Sequence, residues 1–231
     1  MGLEMSIYAI SDLHLSFANP KPMDIFGSEW RNHAERIAAN WDETVREEDT
    51  VLVAGDHSWA LHFEHALPDL DFIAHRPGRK ILIRGNHDYW WRREQTNKIQ
   101  SQVHESIFLM QGRSVVIENV GITGTRGWRI ESAEDPDVGD VRVMQRELNY
   151  LARGLREMPE NVEKKIVMLH YPPFDTDLTP NAFAEMLKAF DVDILVYGHI
   201  HSGAYLEGDV DGIRYRLVSV DHVGFRPVEI I

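Results

Sequence analysis

Five short motifs rich in histidine and carboxylate, each following a short apolar run, constrain the fold more than any other feature of this sequence. In chain order they are Asp12-Leu13-His14, Gly55-Asp56-His57, Gly85-Asn86-His87-Asp88, the single residue His170, and Gly198-His199-Ile200-His201. Apolar runs of this kind, rich in Ile, Val and Leu, predict buried strands. Because the carboxyl ends of strands in an α/β protein border one crevice, we expect the five motifs to meet in a single site.

The stretches between the motifs predict strands that alternate with amphipathic helices. The predicted strands are Ser6–Ile10, Thr50–Ala54, Lys80–Arg84, Lys165–Leu169 and Asp193–Tyr197, and the predicted helices are Arg31–Val45, Leu61–Ala74, Arg92–Gln102, Val141–Met158 and Asn181–Phe190. Short β runs predict a meander over Ile107–Gly124, and Tyr205–Ile231 has similar character with a hairpin signal at Asp211-Gly212. The polar segment 132–139 predicts a loop. This pattern favours one α/β domain over residues 1–231, built as a sandwich of two mixed β-sheets flanked by α-helices.

The composition argues against several classes of protein. A formal net charge of −13 opposes broad nucleic-acid binding, which needs a basic surface. The absence of cysteine excludes disulfides and thiolate chemistry. No signal-peptide pattern occurs over Met1–Ile10, and no apolar run approaches the roughly 20 residues that span a bilayer. We therefore expect a cytoplasmic protein without a membrane partner.

The motif side chains have the chemistry of a metal site. Imidazole and carboxylate without thiolate suit hard-to-borderline divalent ions such as Mn, Fe or Zn. Asp12 and His14 are two residues apart and would face one side of a regular strand, and His199 and His201 repeat this spacing. The two oxygens of Asp56 can bridge two ions.

Asn86 adds an amide oxygen and His170 a further nitrogen, which completes a set of seven donor residues. With one donor shared, such a set can hold two ions about 3.5–4 Å apart with a bridging hydroxide. That hydroxide can attack a phosphoester near neutral pH while the ions bind the phosphoryl oxygens. The residues thus predict a two-metal hydrolase.

Four further residues beside or near the donors are candidates for catalysis or substrate binding. His87 is suited to protonate a leaving alkoxide, and Asp88 can orient its ring. Arg84 can donate two hydrogen bonds to a phosphate. Arg126, within Gly124-Thr125-Arg126-Gly127, is either a second phosphate contact or an exposed side chain of a tight turn.

Two other residues near the motifs have alternative interpretations. Trp90, in Tyr89-Trp90-Trp91, either forms a stacking wall for a nucleobase or aryl leaving group or packs in the core beneath the loops. His57 is either buried behind the ligands or in contact with substrate or metal.

The ordered motifs resemble those of the calcineurin-like metallophosphoesterases, whose pattern is Asp-x-His, Gly-Asp, Gly-Asn-His-(Asp/Glu), His and Gly-His-x-His. The resemblance covers roughly residues 5 to 202 and implies a four-layer α/β sandwich with two divalent metal ions. It assigns one ion to Asp12, His14 and His201 and the other to Asn86, His170 and His199. It further implies that Asp56 bridges the ions and that His87 is the catalytic acid or a transition-state stabiliser.

The predicted function is therefore metal-dependent hydrolysis of a small phosphodiester, such as a nucleotide, by attack of the hydroxide between two ions. A phosphomonoesterase is an alternative, and so is a serine/threonine protein phosphatase. Protein phosphatases resemble the chain at Arg84-Gly85-Asn86-His87 but carry Glu where this chain has Asp88. A non-enzymatic alternative is an inert scaffold of the same fold, although such scaffolds typically lose ligands that this chain retains.

Overall fold

The computed structural model describes residues 5–130 and 137–231, which form two β-sheets with helices on their outer faces. The strands are β1 (Ile7–Ile10), β2 (Thr50–Val53), β3 (Arg79–Ile83), β4 (Ile107–Met110), β5 (Ser114–Ile117), β6 (Val120–Thr125), β7 (Lys164–Leu169), β8 (Ile194–Tyr197), β9 (Gly208–Val210), β10 (Ile213–Leu217) and β11 (Val228–Glu229). The helices are α1 (His33–Thr44), α2 (Phe63–Ala74), α3 (Thr96–Gln100), α4 (Val138–Glu157) and α5 (Ala182–Ala189).

Each sheet has a parallel centre and at least one antiparallel edge strand. The first has the order β11-β1-β2-β3-β4, in which only the pairing of β11 with β1 is antiparallel. The second has the order β5-β6-β7-β8-β10-β9, with parallel pairing from β6 to β10 and an antiparallel strand at each edge. The strands that precede the five motifs are all central and parallel, so their carboxyl ends lie at one end of the sandwich.

Alternation of side chains along the strands produces three apolar layers. Val51 and Val53 face the layer that contains α1 and α2. Leu52 and Ala54 point the other way, into the layer between the two sheets. Leu195, on the outer face of the second sheet, packs against α4 and α5. This order of helix, sheet, sheet and helix confirms the predicted α/β sandwich of two mixed β-sheets flanked by α-helices.

The prediction of one meander over Ile107–Gly124 is wrong. β4 pairs in parallel with β3 at the edge of the first sheet, whereas β5 and β6 form an antiparallel hairpin in the second. The chain changes sheets at Gly112, which has a φ of +56°. A Cβ there would lie 2.7 Å from the Cβ of Tyr150, so the crossover needs a glycine.

Other local predictions are mostly confirmed. Asp211 and Gly212 form the two-residue loop of the predicted hairpin. Their φ values are +51° and +85°, and a type I′ turn requires a positive φ at both of these positions. The predicted helix Arg92–Gln102 is instead a 3-10 turn, Arg93–Gln95, followed by the short α3.

Of the predicted loop 132–139, residues 132–136 lie outside the described residues. Asp137 caps α4, since its side chain accepts a hydrogen bond of 2.6 Å from the backbone N–H of Gly139. Within the described part of the chain, no helix is both long and apolar enough to cross a membrane.

Candidate metal centre

The predicted ligands converge where the loops after β1, β2, β3, β7 and β8 meet. The backbone N–H of Asp12 donates to the carbonyl of Gly55 over 2.9 Å, and the N–H of His14 donates to the carbonyl of Asp56 over 3.0 Å. These bonds continue the pairing of β1 and β2 beyond the strand ends. They fix the first two motifs against each other before any ion binds.

The backbone of this region is not regular strand. Asp12, His14, Asp56 and His199 have φ values of +58°, +48°, +53° and +71°, in the left-handed region that non-glycine residues rarely occupy. The expectation that Asp12 and His14 share a side because of strand alternation is therefore wrong, since β1 ends at Ile10. Their side chains converge because both residues turn in the left-handed conformation. Such strain is typical of functional sites.

The first cluster of donors contains Asp12, His14 and His201, whose ligand atoms all lie within 4.8 Å of one another. The Nε2 of His201 lies 3.4 Å from the Nε2 of His14 and 3.6 Å from Oδ1 of Asp12. These three residues are the set that the resemblance assigns to one ion.

The second cluster contains Asn86, His170 and His199. Oδ1 of Asn86 lies 2.6 Å from the Nε2 of His170 and 3.0 Å from the Nδ1 of His199. Oδ2 of Asp56 lies 3.5 Å from the Nε2 of His170 and 3.9 Å from the Nε2 of His14. This carboxylate therefore stands between the two clusters.

The protonation states favour a cation. Burial is the main cause that lowers the pKa of His14 and of His170, and burial together with the charge of His170 lowers the pKa of His199 to about 2. These rings are therefore neutral at pH 7, as metal ligands must be. Burial and the negative charge of Asp12 raise the pKa of Asp56 well above its ordinary value. A divalent ion would relieve that repulsion, so the donor set fits a metal.

Two of the imidazoles have a hydrogen-bond partner on the ring nitrogen that faces away from the cluster. The Nδ1 of His170 lies 3.0 Å from the carbonyl oxygen of Ala54, and the Nδ1 of His201 lies 2.9 Å from Oδ1 of Asp221. Such partners fix the orientation of metal-binding rings. Sequence analysis missed Asp221, although it follows the apolar run that contains β10 and so also lies beyond a strand end.

His87 lies beside the first cluster, against an aromatic wall. Its ring centroid is 4.3 Å from that of Trp59, which also stacks on His14 at 4.8 Å. Its backbone N–H donates to Oδ1 of Asp56 over 2.8 Å. His87 and Trp59 border a cavity of about 330 Å³, which also includes Met23. We call this the aromatic cavity.

Asp88 does not orient His87, contrary to the prediction. Its carboxylate lies inside the loops, where the backbone N–H groups of Asp56, His57 and Gly85 donate to it over 2.9, 2.9 and 2.7 Å. His57 is also fully buried, which favours the interpretation that it stands behind the ligands. Burial raises the pKa of Asp88, but the charge and hydrogen bond of His57 and the backbone hydrogen bonds outweigh burial and lower it.

Trp90 is also placed differently from the prediction of a stacking wall. Only 2% of its surface is exposed, and its Nε1 donates to Oδ1 of Asp88 over 3.0 Å. The ring is thus held in the core beneath the loops, as the alternative interpretation stated. Trp59 instead provides the aromatic surface beside His87.

Arg84 and Arg126 border a second cavity of about 390 Å³, which also reaches Asn86. Both are partly buried, so Arg126 is not the exposed side chain of a turn. Burial lowers the pKa of Arg84, and burial with the charge of Arg84 lowers the pKa of Arg126 to about 10. The Arg126 guanidinium lies 4.4 Å from the ring centroid of Trp128. Both arginines therefore stand next to the second cluster.

Known proteins similar to this chain share its fold and part of its sequence. The Gene 66 protein of Mycobacterium phage L5 is 36% identical over 78 residues, which make up 34% of this chain and 37% of that protein. The match thus spans less than half the length of this relative. The crystal structure of phosphopantetheinyl hydrolase (PptH) from Mycobacterium tuberculosis aligns with a TM-score of 0.63 at 15% sequence identity. The alignment covers 100% of this chain and 97% of the PptH chain. The structure of the protein of unknown function AQ665 from Aquifex aeolicus aligns with a TM-score of 0.52 at 18% sequence identity. This alignment covers 98% of this chain and 96% of the AQ665 chain.

At these identities the two structures show the fold alone. The sequence profile of the calcineurin-like phosphoesterases, by contrast, matches residues 5–203, which is most of the chain and includes every motif of the candidate site. The chain therefore belongs to the calcineurin-like phosphoesterase family.

Proposed function

We propose that this protein is a metal-dependent hydrolase of a small phosphodiester, with two divalent ions at its centre. The observation that carries the proposal is the position of Asp56, whose carboxylate lies between two groups of donors. One carboxylate placed between two clusters of imidazole donors is the arrangement that a two-metal site requires.

The donors divide into two sets around this carboxylate. We assign Asp12, His14 and His201 to one ion, and Asn86, His170 and His199 to the other. When bound, the two ions would supply the nucleophile and neutralise charge on the phosphoryl oxygens. Mn, Fe and Zn all suit this donor set.

We assign to His87 the transfer of a ring proton to the leaving oxygen. The residue lines the aromatic cavity and lies beside the ligand His14, at 5.7 Å between ring centroids. A protonated imidazole at this position can donate its proton to a leaving alkoxide. The leaving group would then occupy the aromatic cavity, where Trp59 can stack on an aryl group or a nucleobase.

The two cavities favour a diester. The aromatic cavity is lined by His14 and His201 of the first cluster, whereas the cavity of Arg84 and Arg126 is lined by Asn86 of the second. A phosphorus atom held between the clusters can place one substituent in each cavity. A diester has two such substituents.

Hydrolysis of a phosphomonoester is the second candidate, because Arg84 and Arg126 can neutralise the additional charge of a monoester dianion. The aromatic cavity would serve the leaving group in the same way. In a diester the arginines would lie beside the second substituent, whereas in a monoester they would contact the additional charged oxygen. A comparison of diester with monoester turnover separates the two candidates.

The test is a chelate-and-restore assay. The stripped protein receives Mn, Fe(II), Zn, Co or Ni separately, and cleavage of bis-p-nitrophenyl phosphate is compared with cleavage of p-nitrophenyl phosphate. We expect at least one metal to restore turnover, with the diester preferred. His87→Ala should lower kcat by about 10²–10⁴-fold. His65→Ala, which removes an exposed histidine of α2, should have no effect.

Turnover that no metal restores would overturn the proposal. An inert scaffold would then be the better account, particularly if ions still bind. Turnover that is equal in wild type and His87→Ala would remove the role of His87 but not that of the metals.

A further inference from the structure

We propose that the cavity beside Asn86 binds a second phosphate group of the substrate, so that the preferred diester is one whose retained substituent is itself phosphorylated. This inference rests on the proposed function for its substrate but not for its binding site. The arginine cavity, as we call it, has five arginines in its lining: Arg84, Arg92, Arg93, Arg126 and Arg146.

Acidic groups do not balance this charge. Glu94 lies 2.6 Å from the Nε of Arg93 and neutralises that residue. Asp88 also lines the cavity, but its oxygens are occupied by backbone N–H groups and by His57. Over residues 5–130 and 137–231, neither Arg84 nor Arg126 has a carboxylate within ion-pair distance.

Two of these arginines have a buried Nε atom. The Nε atoms of Arg126 and Arg146 are buried and have no hydrogen-bond partner among the described residues. The nearest acid to Arg146 is Glu147, at 3.5 Å, and this glutamate also accepts a hydrogen bond from the hydroxyl of Thr125. Burying an N–H donor without a hydrogen-bond partner is costly, so two such donors in the lining of a concave site indicate an anion.

Phosphate is the anion that this donor set fits best. Guanidinium groups are planar forks that bind two oxygens at once, and several of them can surround a tetrahedral dianion. The volume of about 390 Å³ leaves room for the phosphate and part of the group that carries it. Carboxylates offer fewer oxygens than these arginines can engage.

The arginine cavity adjoins the candidate metal centre, so a phosphate bound there can belong to the molecule that is hydrolysed. Asn86 belongs to both the second donor cluster and the lining of the arginine cavity, so one molecule can reach both. In hydrolysis, the hydroxyl of water joins the phosphorus, the bond to the leaving oxygen breaks, and that oxygen takes up a proton. The second phosphate remains on the phosphorylated product, while the other product leaves through the aromatic cavity.

The first arm of the test measures binding without metal or turnover. Inorganic diphosphate is titrated calorimetrically into chelator-treated protein at fixed ionic strength. We expect binding to wild type that is about 10-fold weaker in Arg146→Ala, because each arginine contributes charge-assisted hydrogen bonds. Arg142→Ala removes an exposed arginine one turn earlier on α4 and should bind like wild type.

Arg146→Lys keeps the positive charge but removes the bidentate guanidinium, and it is the variant to use if Arg146→Ala does not fold. It should bind diphosphate more weakly than wild type. No binding to wild type, or equal binding to the variants of Arg142 and Arg146, would overturn the arginine cavity as an anion site.

The second arm uses the metal-loaded enzyme and two matched diesters, adenylyl adenosine with and without a 5′-terminal phosphate. We expect the phosphorylated dinucleotide to have a kcat/KM about 10-fold higher in wild type. The ratio should fall towards one in Arg146→Ala and be unchanged in Arg142→Ala. A ratio near one in wild type would overturn the substrate class.

The two arms separate this inference from the proposed function. Diphosphate binding that depends on Arg146, without hydrolysis of any ester, supports the cavity and contradicts the hydrolase. Metal-restored hydrolysis without diphosphate binding supports the hydrolase and contradicts the cavity.

Discussion

Oδ2 of Asp88 lies 2.9 Å from the Nδ1 of His57, and both side chains are completely buried. The same carboxylate accepts hydrogen bonds from the backbone N–H groups of Asp56 and Gly85. Asp88 therefore joins the loop after β2, which carries Asp56, to the loop after β3, which carries Asn86. The geometry of the candidate metal centre depends on this connection.

Removing the charge of Asp88 should destabilise the fold. Asp88→Asn leaves His57 buried without its partner and places an amide among backbone donors. Breaking one partner of a buried pair typically costs about 3–5 kcal/mol, and we expect a loss of that size. Urea unfolding at pH 7 measures it. Asp71→Asn changes an exposed carboxylate and is the control. Equal stabilities of the two variants would refute this role of Asp88.

Two glycines should be essential for metal binding. A Cβ on Gly85 would overlap Oδ1 of Asp56, and one on Gly198 would lie 2.5 Å from Oδ2 of Asp12. Gly85→Ala and Gly198→Ala should therefore displace ligands and lower metal affinity by at least about 10–100-fold. Titration with Zn and a competing chelator measures the affinity. Wild-type affinity in both variants would show that the two carboxylates do not bind the ions.

Metal removal should lower thermal stability. An ion that binds only the folded chain stabilises it by about 2.7 kcal/mol at 100 times its Kd, so two such ions correspond to about 10–20 °C in Tm for a protein of this size. We expect a chelator to lower the Tm of wild type by this amount. In Asp56→Ala the chelator should have a much smaller effect. An unchanged wild-type Tm would indicate that no ion was bound.

Buried Lys80 should make stability depend on pH in the alkaline range. Its Nζ donates to the carbonyls of Ala74 and Arg76 over 3.0 and 2.6 Å, and burial lowers its pKa from 10.5 to about 8. Between these values the unfolded chain binds more protons than the folded one, so stability rises with pH. From pH 7 to 9.5, wild type should gain about 2 kcal/mol relative to Lys80→Met.

The control for this prediction is Lys98→Met, which removes an exposed lysine. Its stability should follow that of wild type over the same pH range. Parallel curves for wild type and Lys80→Met would show that Lys80 keeps an ordinary pKa in the folded protein.

The strands and the convergence of the candidate donors were predictable from sequence because both depend on local patterns. β1, β2, β3, β7 and β8 each end in an apolar run, and each motif follows within two residues of the end of its strand. The sheet to which β4 belongs was not predictable, because periodicity describes a single strand and not its neighbour. The need for a glycine at position 112 is evident only in the folded protein, where a Cβ at this position would collide with Tyr150.

The errors at the site have a similar origin. Asp88 adjoins His87 in sequence, but its side chain points into the loops, where backbone donors from Asp56 and His57 surround it. Asp221 contacts His201 from 20 residues away and belongs to no motif. The sequence motifs therefore predict the candidate ligands, whereas the residues that orient those ligands are evident only from tertiary contacts.

The most direct test of the central claim is the number of ions bound per chain. Equilibrium dialysis against Zn or Mn, followed by elemental analysis, measures it for wild type and for two double variants. The account predicts two ions in wild type, and one ion each in His14→Ala/His201→Ala and in Asn86→Ala/His199→Ala. One ion or none in wild type would contradict it, and so would two ions in both double variants.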